Sequence, residues 1–443
     1  MDRSDPFGRS CFGKAEGELN LPLAAFHEGH PQSRESSIQG RQTSPEGRHA
    51  HRLDHDAGSP ESGTVVRACV GVGGGISILA RYHASQNIIS PERYPMNFRC
   101  LTTASTVCGL LFLCRPLDAW NDAGHLVIAR LAWERLSEPQ REKVVNVLSE
   151  HPHKHQILLQ DRPENVSVTE WLFIRAAIWC DHIRPPRGLT RAEIYSHTIY
   201  KYHHGPWHYV NFPYSPRGKE NPVPSVSLRG EASDSSTILD QLELSMKVLQ
   251  GPEVEDLDRV VGLTTAQNKA VRLCWLFHLI GDIHQPLHAA TLIDERRIPI
   301  KPHSDQGGNL FAIRSQVAAF PRKLHVFWDE CLGTDSRYPA IRSLSETLSH
   351  DPAFTPEHLP ELSQHRSFRA WALESHLAAR TEVYERGHLQ CALWDDYEHG
   401  KITAEDVPRL SPEAESKAKT LARRRIALAG CRLAEKLQEI VDP

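Results

Sequence analysis

The sequence predicts an all-α fold, a single multi-helix domain with long loops over residues 120–443. Apolar residues recur three and four positions apart in several long segments, as on the buried face of a helix, whereas the alternation typical of strands is scarce. Proline-rich stretches separate these segments and indicate loops. The predicted helices cover residues 126–136, 235–249, 266–283, 371–385 and 412–440, and the predicted loops include residues 185–186, 206, 213–224 and 302–309.

Each predicted helix has its own apolar repeat. Separations of three, four, seven or eleven positions bring side chains to the same side of an α-helix. In chain order the repeats are Val127 and Leu131; Ile238, Leu242 and Leu249; Leu273, Phe277 and Ile280; Ala372, Ala379 and Val383; and Ala422, Ile426, Leu433 and Leu437.

Residues 96–119 have the composition of a secretory signal peptide. Met96 is followed by a short basic segment, an apolar run over residues 100–114, and the small residue Ala119 at the expected cleavage point. The run is too short to cross a bilayer comfortably. A buried helix or strand is the alternative, but the order of the regions favours export. Cleavage would expose Trp120 as a new amino terminus and leave no stable membrane anchor.

Residues 1–95 are rich in Gly, Ser, Pro, Arg and His and lack sustained apolar periodicity. They place the predicted signal in mid-chain, where it could not act normally, so we expect Met96 to be the true start. A disordered extension is the alternative. The glycine run at residues 71–75 lacks the Lys-Ser/Thr of a phosphate loop and the third glycine of a dinucleotide fingerprint, which favours a flexible segment.

Net charge and cysteine content limit the kinds of binding site that the chain can form. The formal net charge of −4 gives no basic excess that would attract nucleic acid by bulk charge. The five cysteines after Trp120 show no CxxC spacing of a thiolate zinc site. Export would permit one or two disulfide bonds and leave at least one cysteine unpaired within the chain. A metal site in this chain therefore depends on His and Asp.

Two His/Asp pairs have a spacing of four residues in apolar segments: His278 with Asp282, and His325 with Asp329. Residues at i and i+4 share a helix face, so both side chains of a pair can reach one ion. A single pair is commonly a buried histidine with a structural carboxylate partner. Two pairs, with His288 just after a helix-breaking proline, favour a metal site.

Two shorter clusters add donors of the same kind. Asp181 precedes Arg184 in Trp-Cys-Asp-His-Ile-Arg, and His208 lies among aromatic residues in Trp-His-Tyr-Val-Asn. Alone, the first is more typical of a solvated turn and the second of an aromatic core. Together with the two pairs, they provide the nitrogen and oxygen donors that zinc prefers.

These motifs resemble, in the same order, the zinc-dependent single-strand-specific nuclease family of the nuclease S-one and P-one type, which shares its fold with bacterial zinc phospholipase C. The resemblance runs from Trp120 to about Val441. Its motifs are Trp-x-x-x-Gly-His at residues 120–125, Trp-x-Asp-x-Ile-Arg at 179–184, Trp-His-Tyr-Val-Asn at 207–211, the stretch from His278 to His288, Gly-Gly-Asn at 307–309, Leu-His-x-x-Trp-Asp at 324–329 and Trp-Ala-Leu-Glu-Ser at 371–375.

The resemblance implies three zinc ions. The ligand sets would be Asp181, His208, His278 and Asp282 for the first ion; His288, His325 and Asp329 for the second; and the amine and carbonyl of Trp120, with His125 and a bridging Asp282, for the third. Four nearby histidines fall outside the ligand positions, and we expect supporting or surface roles for His182, His203, His204 and His284.

The resemblance also implies hydrolysis of single-stranded DNA and RNA to 5′-phosphate products, with 3′-nucleotidase activity, in the periplasm or outside the cell. Zinc ions activate water and stabilise the leaving 3′ oxygen. Arg184 and Asp282 would be the catalytic residues, with Arg184 stabilising charge on the phosphoryl oxygens. Tyr209 would stack on an unpaired base and Asn309 would contact it. No protein partner is implied.

One position departs from the fungal pattern of the family: Asn211 stands where those enzymes carry Asp. The charge that would orient Arg184 is missing, although a hydrogen bond remains available. We expect the change to affect rate and substrate preference rather than the metal site.

Two other classes of function remain open at this stage. A phospholipase C would use the same zinc ions on lipid phosphodiesters, and exposed apolar residues around the pocket would favour it. A structural zinc protein is disfavoured because every ligand position is present, and catalytic clusters keep an open coordination position that structural sites close.

Overall fold

The computed structural model describes residues 120–217, 236–251, 256, 259–299 and 301–442. The predicted signal peptide at 96–119, its cleavage site and the extension at 1–95 lie outside these residues. The described chain is all-α, as predicted. Its helices are α1 (Asp122–Arg135), α2 (Glu138–Ser149), α3 (Val168–Arg175), α4 (Trp179–His182), α5 (Arg191–Ser196), α6 (Ile238–Gln250), α7 (Thr265–His284), α8 (Leu324–Asp329), α9 (Tyr338–His350), α10 (Glu361–Gln364), α11 (Phe368–Ala378), α12 (Trp394–Glu398) and α13 (Pro412–Val441).

Short strands form two small sheets beside the helices. β1 (Phe212–Tyr214) pairs in parallel with β2 (Ala290–Leu292). β3 (Phe311–Ile313) lies between β4 (Arg322–Lys323) and β5 (Ala392–Leu393) and is antiparallel to both. Part of the predicted loop at 213–224 therefore belongs to strand β1. The proline in this strand is tolerated because β1 lies at the edge of its sheet. Strands this short cannot form a core of their own.

The central helix is α7, and its sequence explains both its start and its position. Thr264 and Gln267 form a capping box, in which each side chain accepts a hydrogen bond from the other residue's backbone N–H at 3.1 Å. Every residue from Ala270 to His284 is buried, and the helix packs against α1, α2, α6, α11 and α13. Polar side chains on such a helix lie in the core and therefore need partners.

A buried ion network, the Glu374 network, joins α13 to α11 and to the end of α7. Glu374 accepts hydrogen bonds from Arg425 at 2.7 Å and from Arg432 at 2.6 Å. Arg432 also donates to Nε2 of His284 at 2.8 Å, and Arg425 donates to the His284 carbonyl at 3.0 Å. The network fixes the point at which the chain leaves α7.

The structure corrects one predicted helix. The helix predicted at 371–385 begins earlier, at Phe368, and its α-helical part ends at Ala378. The chain then continues as a wider π-turn, Ala379–Val383. Tyr384 then leaves the helix, and its hydroxyl donates to Asp305 at 2.8 Å. The two residues lie far apart in the sequence, so the local apolar repeat does not reveal their contact.

The cysteines of the described residues are all free thiols, so the expected disulfide bonds are absent between them. Cys180 donates to the Cys274 carbonyl at 3.7 Å instead. Burial raises the pKa of both thiols well above the ordinary value, which disfavours the thiolate that disulfide formation requires. These two residues act as small core side chains.

The described residues from 120 to 442 all belong to one compact unit. None of the described helices combines the length and the apolar character needed to span a membrane.

Candidate metal centre

The predicted His and Asp ligands come from separate parts of the chain and meet around the C-terminal half of α7. All of them are buried, with at most 8% of any residue exposed, and Trp120, which precedes α1, is buried as well. The His and Asp ligands are His125 on α1, Asp181 on α4, His208 in the 3₁₀ turn Gly205–His208, His278 and Asp282 on α7, His288 in the 3₁₀ turn Pro286–His288, and His325 and Asp329 on α8.

Three groups of these side chains place one donor atom of each member within 4.8 Å of the others. This spacing suits a single ion, because zinc holds nitrogen and oxygen ligands at about 2.0–2.2 Å. The groups are His125, Asp181 and His278; His208, His278 and Asp282; and His288, His325 and Asp329. The last group is the set expected for the second ion. The first two share a histidine and form one continuous cluster.

Asp282 lies between the histidines of this cluster, and its two carboxylate oxygens face different partners. Oδ1 lies 3.2 Å from Nε2 of His125. Oδ2 lies 2.9 Å from Nδ1 of His208 and 3.2 Å from Nε2 of His278. A carboxylate in this position can contribute one oxygen to each of two ions.

Three of the histidines are oriented by backbone carbonyl groups. A carbonyl only accepts hydrogen bonds, so Nδ1 of each ring must carry the proton, and Nε2 of the neutral ring keeps the lone pair that binds metal. This arrangement is typical of metal-binding histidines. The bonds run from His278 to Ala177 at 2.8 Å, from His288 to His208 at 2.5 Å and from His325 to Gly307 at 2.6 Å.

Several polar atoms of the centre are buried without a hydrogen-bond partner among the described residues. Leaving such atoms unsatisfied costs free energy, and coordination to cations would satisfy the carboxylate oxygens and one nitrogen of each imidazole ring. Nitrogen and oxygen donors without thiolates fit zinc. The atoms are both ring nitrogens of His125, Oδ2 of Asp181, Nε2 of His208, Oδ1 of Asp282 and Nε2 of His288.

Burial and neighbouring charges set the protonation states in which the ligands meet a cation. Burial lowers the pKa of His208 to about 4 and that of His325 to about 3. Burial alone would raise the pKa of the Asp282 carboxyl, but His278 and His288 hold it well below its usual range. At neutral pH His208 and His325 are therefore neutral and Asp282 is ionised. Burial alone would lower the pKa of His278, but the carboxylates of Asp282 and Asp181 raise it to about 9, so zinc must displace a proton from this ring in order to bind.

Gly281 makes room for the ring of His125. A Cβ atom at this position would lie 2.6 Å from Nδ1 of His125, so even an alanine would displace the ring. The rings of His125 and His278 stack with their centroids 4.2 Å apart and an interplanar angle of 18°. The glycine thus allows α1 and α7 to bring both rings to Asp282.

Gln285 positions Asp329 and was not among the predicted site residues. Its Nε2 donates to Oδ1 of Asp329 at 2.8 Å, and its Oε1 accepts from the backbone N–H of Leu287 at 2.5 Å. The two bonds connect the turn that carries His288 to the helix that carries Asp329. The Gln-Pro-Leu-His motif contained the signal, but the partner lies too far along the chain to be predicted from it.

The sequence profile of the S1/P1 nuclease family matches residues 120–442, which include every residue of this centre. The chain belongs to the S1/P1 nuclease family. It is also similar to Endonuclease 2 of Arabidopsis thaliana, with 22% identity over 338 residues that cover 75% of this chain and 93% of that protein. The protein is therefore a nuclease, a hydrolase of phosphodiester bonds, and its buried His/Asp groups are consistent with the metal dependence of the family.

In this S1/P1 nuclease the start of the described chain lies against the centre. Trp120 is fully buried. The N–H of the next residue, Asn121, donates to the carbonyl of Asp329 at 3.3 Å, and the Asn121 side chain caps α1 by accepting from Gly124 N–H at 3.1 Å. These bonds hold the backbone at Trp120 close to a ligand residue.

Arg184 contacts the centre directly. Its guanidinium donates to Oδ1 of Asp181 at 2.8 Å, and 15% of its side chain is exposed. The arginine thus lies at the border between the buried ligands and solvent, where a phosphate group could approach it.

The predicted substrate contacts lie on segments that also carry ligands or that contact them. Tyr209 follows ligand His208 and is partly exposed. Asn211 adopts a positive φ of 48°, a conformation that Asn tolerates better than most residues. The Asn309 amide donates to the Gln306 carbonyl at 2.8 Å, while its Oδ1 has no hydrogen-bond partner among the described residues.

Three of the four histidines excluded as ligands have other partners. His182 lies at the surface, 3.3 Å from Asp122. His204 stacks on Trp207 with ring centroids 3.8 Å apart, and His284 belongs to the Glu374 network. His203 is partly buried, and burial lowers its pKa to about 3.

Proposed function

We propose that this nuclease uses three zinc ions to hydrolyse single-stranded DNA and RNA to 5′-phosphate products, and that it also acts on 3′-nucleotides. The orientation of the histidines carries the proposal. His278, His288 and His325 each donate Nδ1–H to a backbone carbonyl, which leaves Nε2 available to a cation. A proposed third site, made by Trp120, His125 and Asp282, would complete the centre.

The side chains around the centre define the remaining chemistry. When bound, zinc supplies an activated water nucleophile and stabilises negative charge on phosphate oxygens. Asp282 keeps adjacent ligand groups together through its two oxygens. Arg184, anchored on Asp181, would donate hydrogen bonds to the phosphoryl oxygens as negative charge develops.

The preference for single strands would come from contacts with bases. Tyr209 is partly exposed beside His208 and could stack on an unpaired base. Asn309 has a side-chain oxygen without a partner among the described residues, and this buried oxygen would have to become accessible to contact a base. Bases in a duplex are already stacked on one another and cannot take this position without unpairing.

The mature enzyme would begin at Trp120 and act in the periplasm or outside the cell. The signal-like composition of residues 96–119 supports this proposal.

The decisive experiment is to assay the processed enzyme on single-stranded DNA, RNA, duplex DNA, a 3′-mononucleotide and phosphatidylcholine. We expect zinc-dependent cleavage of both single-stranded polymers, slower cleavage of the duplex, and release of phosphate from the mononucleotide. Hydrolysis of phosphatidylcholine alone would identify a phospholipase instead.

A further inference from the structure

Asp305 is a buried carboxylate outside the ligand set, and it accepts hydrogen bonds from three segments of the chain. It is fully buried. Its donors are the Tyr384 hydroxyl at 2.8 Å, the Thr291 hydroxyl at 3.1 Å, and the backbone N–H groups of Leu292 at 2.8 Å, Gly307 at 3.1 Å and Gly308 at 2.9 Å.

The Gly307–Gly308 turn held by Asp305 lies directly against the second group of ligands. The carbonyl of Gly307 accepts from Nδ1 of His325 at 2.6 Å. Both glycines have positive φ, 64° and 80°, and a Cβ atom on Gly307 would lie 2.7 Å from the carbonyl oxygen of Leu287. The turn therefore fits between α8 and the turn that carries His288, and only glycine fits there.

We propose that Asp305 is a positioning residue for the zinc site formed by His288, His325 and Asp329. It fixes the Gly307 carbonyl, which in turn fixes the tautomer and the direction of the His325 ring. This inference rests on the proposed zinc-dependent function and adds a residue that contacts neither metal nor substrate.

The chemistry of the contact explains why a carboxylate is required. Asp305 accepts from donors on both of its oxygens, so an amide of the same size would direct an NH₂ group at some of them. The Gly307 turn would then lose one anchor, and its carbonyl could move away from His325. A histidine that loses such a partner binds metal more weakly, typically by about 10–100-fold.

The test measures zinc retained per chain by mass spectrometry of the metal while a chelator is titrated into the processed enzyme that begins at Trp120. The variants are Asp305→Asn and Tyr384→Phe, which removes one donor to Asp305 and no other group. Glu374→Gln is the matched control. Glu374 is also a buried carboxylate with several donors, but its donors are arginines of α13 and not the Gly307–Gly308 turn. Thermal melting of each variant reports its stability separately.

We expect Asp305→Asn to release one zinc ion at a chelator concentration about 10–100-fold lower than wild type. Tyr384→Phe should shift the same ion less, and it decides the matter if Asp305→Asn does not fold. Glu374→Gln should melt earlier, yet at a temperature at which it stays folded it should release its zinc as wild type does. Wild-type zinc retention in Tyr384→Phe and in any folded Asp305→Asn would overturn the assignment, as would an equal loss in Glu374→Gln. A wild-type protein that binds no zinc would overturn the proposed function as well.

Discussion

Asp282 lies between the histidines of the two ligand groups that share His278. Its Oδ1 faces His125 and its Oδ2 faces His208 and His278. An amide bridges cations poorly, so we expect Asp282→Asn to lose more zinc and more activity than Asp329→Asn, which changes a ligand of only one group. Metal analysis and turnover of the two variants, side by side, provide the comparison. Full zinc occupancy in Asp282→Asn would contradict the bridging assignment.

Arg184 allows a second prediction about a single residue. If Arg184 stabilises the charge that develops in the transition state, as proposed, Arg184→Ala should lower kcat by about 10²-fold or more. Zinc content should change much less, although the lost contact with Asp181 frees one ligand oxygen. Arg187→Ala is the control, since it removes the same charge from an exposed position three residues away. If Arg184→Ala turned over at the wild-type rate, Arg184 would be an ordinary surface ion pair.

The residues that could be predicted from the sequence are those whose spacing is set by one helix. His278 and Asp282 share a face of α7, and the i, i+4 rule brings them together without knowledge of the fold. Asp305 escaped prediction because its partner, Tyr384, lies 79 residues away. Such contacts depend on how the turns and helices pack, which no local pattern records.

Among the elements, α1, α6, α7 and α13 follow the predicted repeats closely, because each is long and has a continuous apolar face. The short strands were missed for the opposite reason. Two or three residues are too few to show alternation, and β1 contains a proline. The π-turn after α11 was also missed, since its wider repeat still places Val383 in the core.

The Glu374 network holds α13 through charge, so its contribution to stability should depend on pH. Burial would raise the pKa of Glu374, but Arg432 and Arg425 lower it from 4.5 to about 2. Its contribution to stability is therefore present above about pH 4.5 and is lost as the pH falls towards 2. We expect Glu374→Gln to destabilise the protein by about 3–5 kcal/mol at neutral pH, because two buried arginines lose their partner.

The pH dependence separates this ionic contribution from a simple packing defect. Thermal melting of zinc-free wild type and Glu374→Gln should show a gap that is widest at neutral pH. The gap should narrow as Glu374 becomes protonated in the wild type. A gap that stayed constant down to pH 2 would show that the charge of Glu374 does not stabilise α13.

At the scale of the whole molecule, the centre connects the start of the domain to its middle and to its end. The chain beside Trp120 is bonded to Asp329 on α8, the ligands His278 and Asp282 lie on α7, and α13 packs on α1 and holds the end of α7. Metal binding would therefore be coupled to the stability of the entire domain, because a ligand that binds only the folded state stabilises it.

The amino terminus gives the prediction that involves the whole chain. An α-amine has an ordinary pKa of about 7.7–8.0 and must lose its proton to bind zinc, which the charge of the ion favours near neutral pH. This amine exists at Trp120 only if the chain is cut after Ala119; otherwise the nitrogen is an amide and a poor ligand.

We expect the uncleaved 443-residue chain, or a chain with Met before Trp120, to lose one zinc ion and most activity while keeping its helical content. Metal analysis, circular dichroism and amino-terminal sequencing of the exported enzyme, which should begin Trp-Asn-Asp, are the measurements. Three zinc ions and full activity in a chain blocked ahead of Trp120 would disprove both the processing site and the role of the amine.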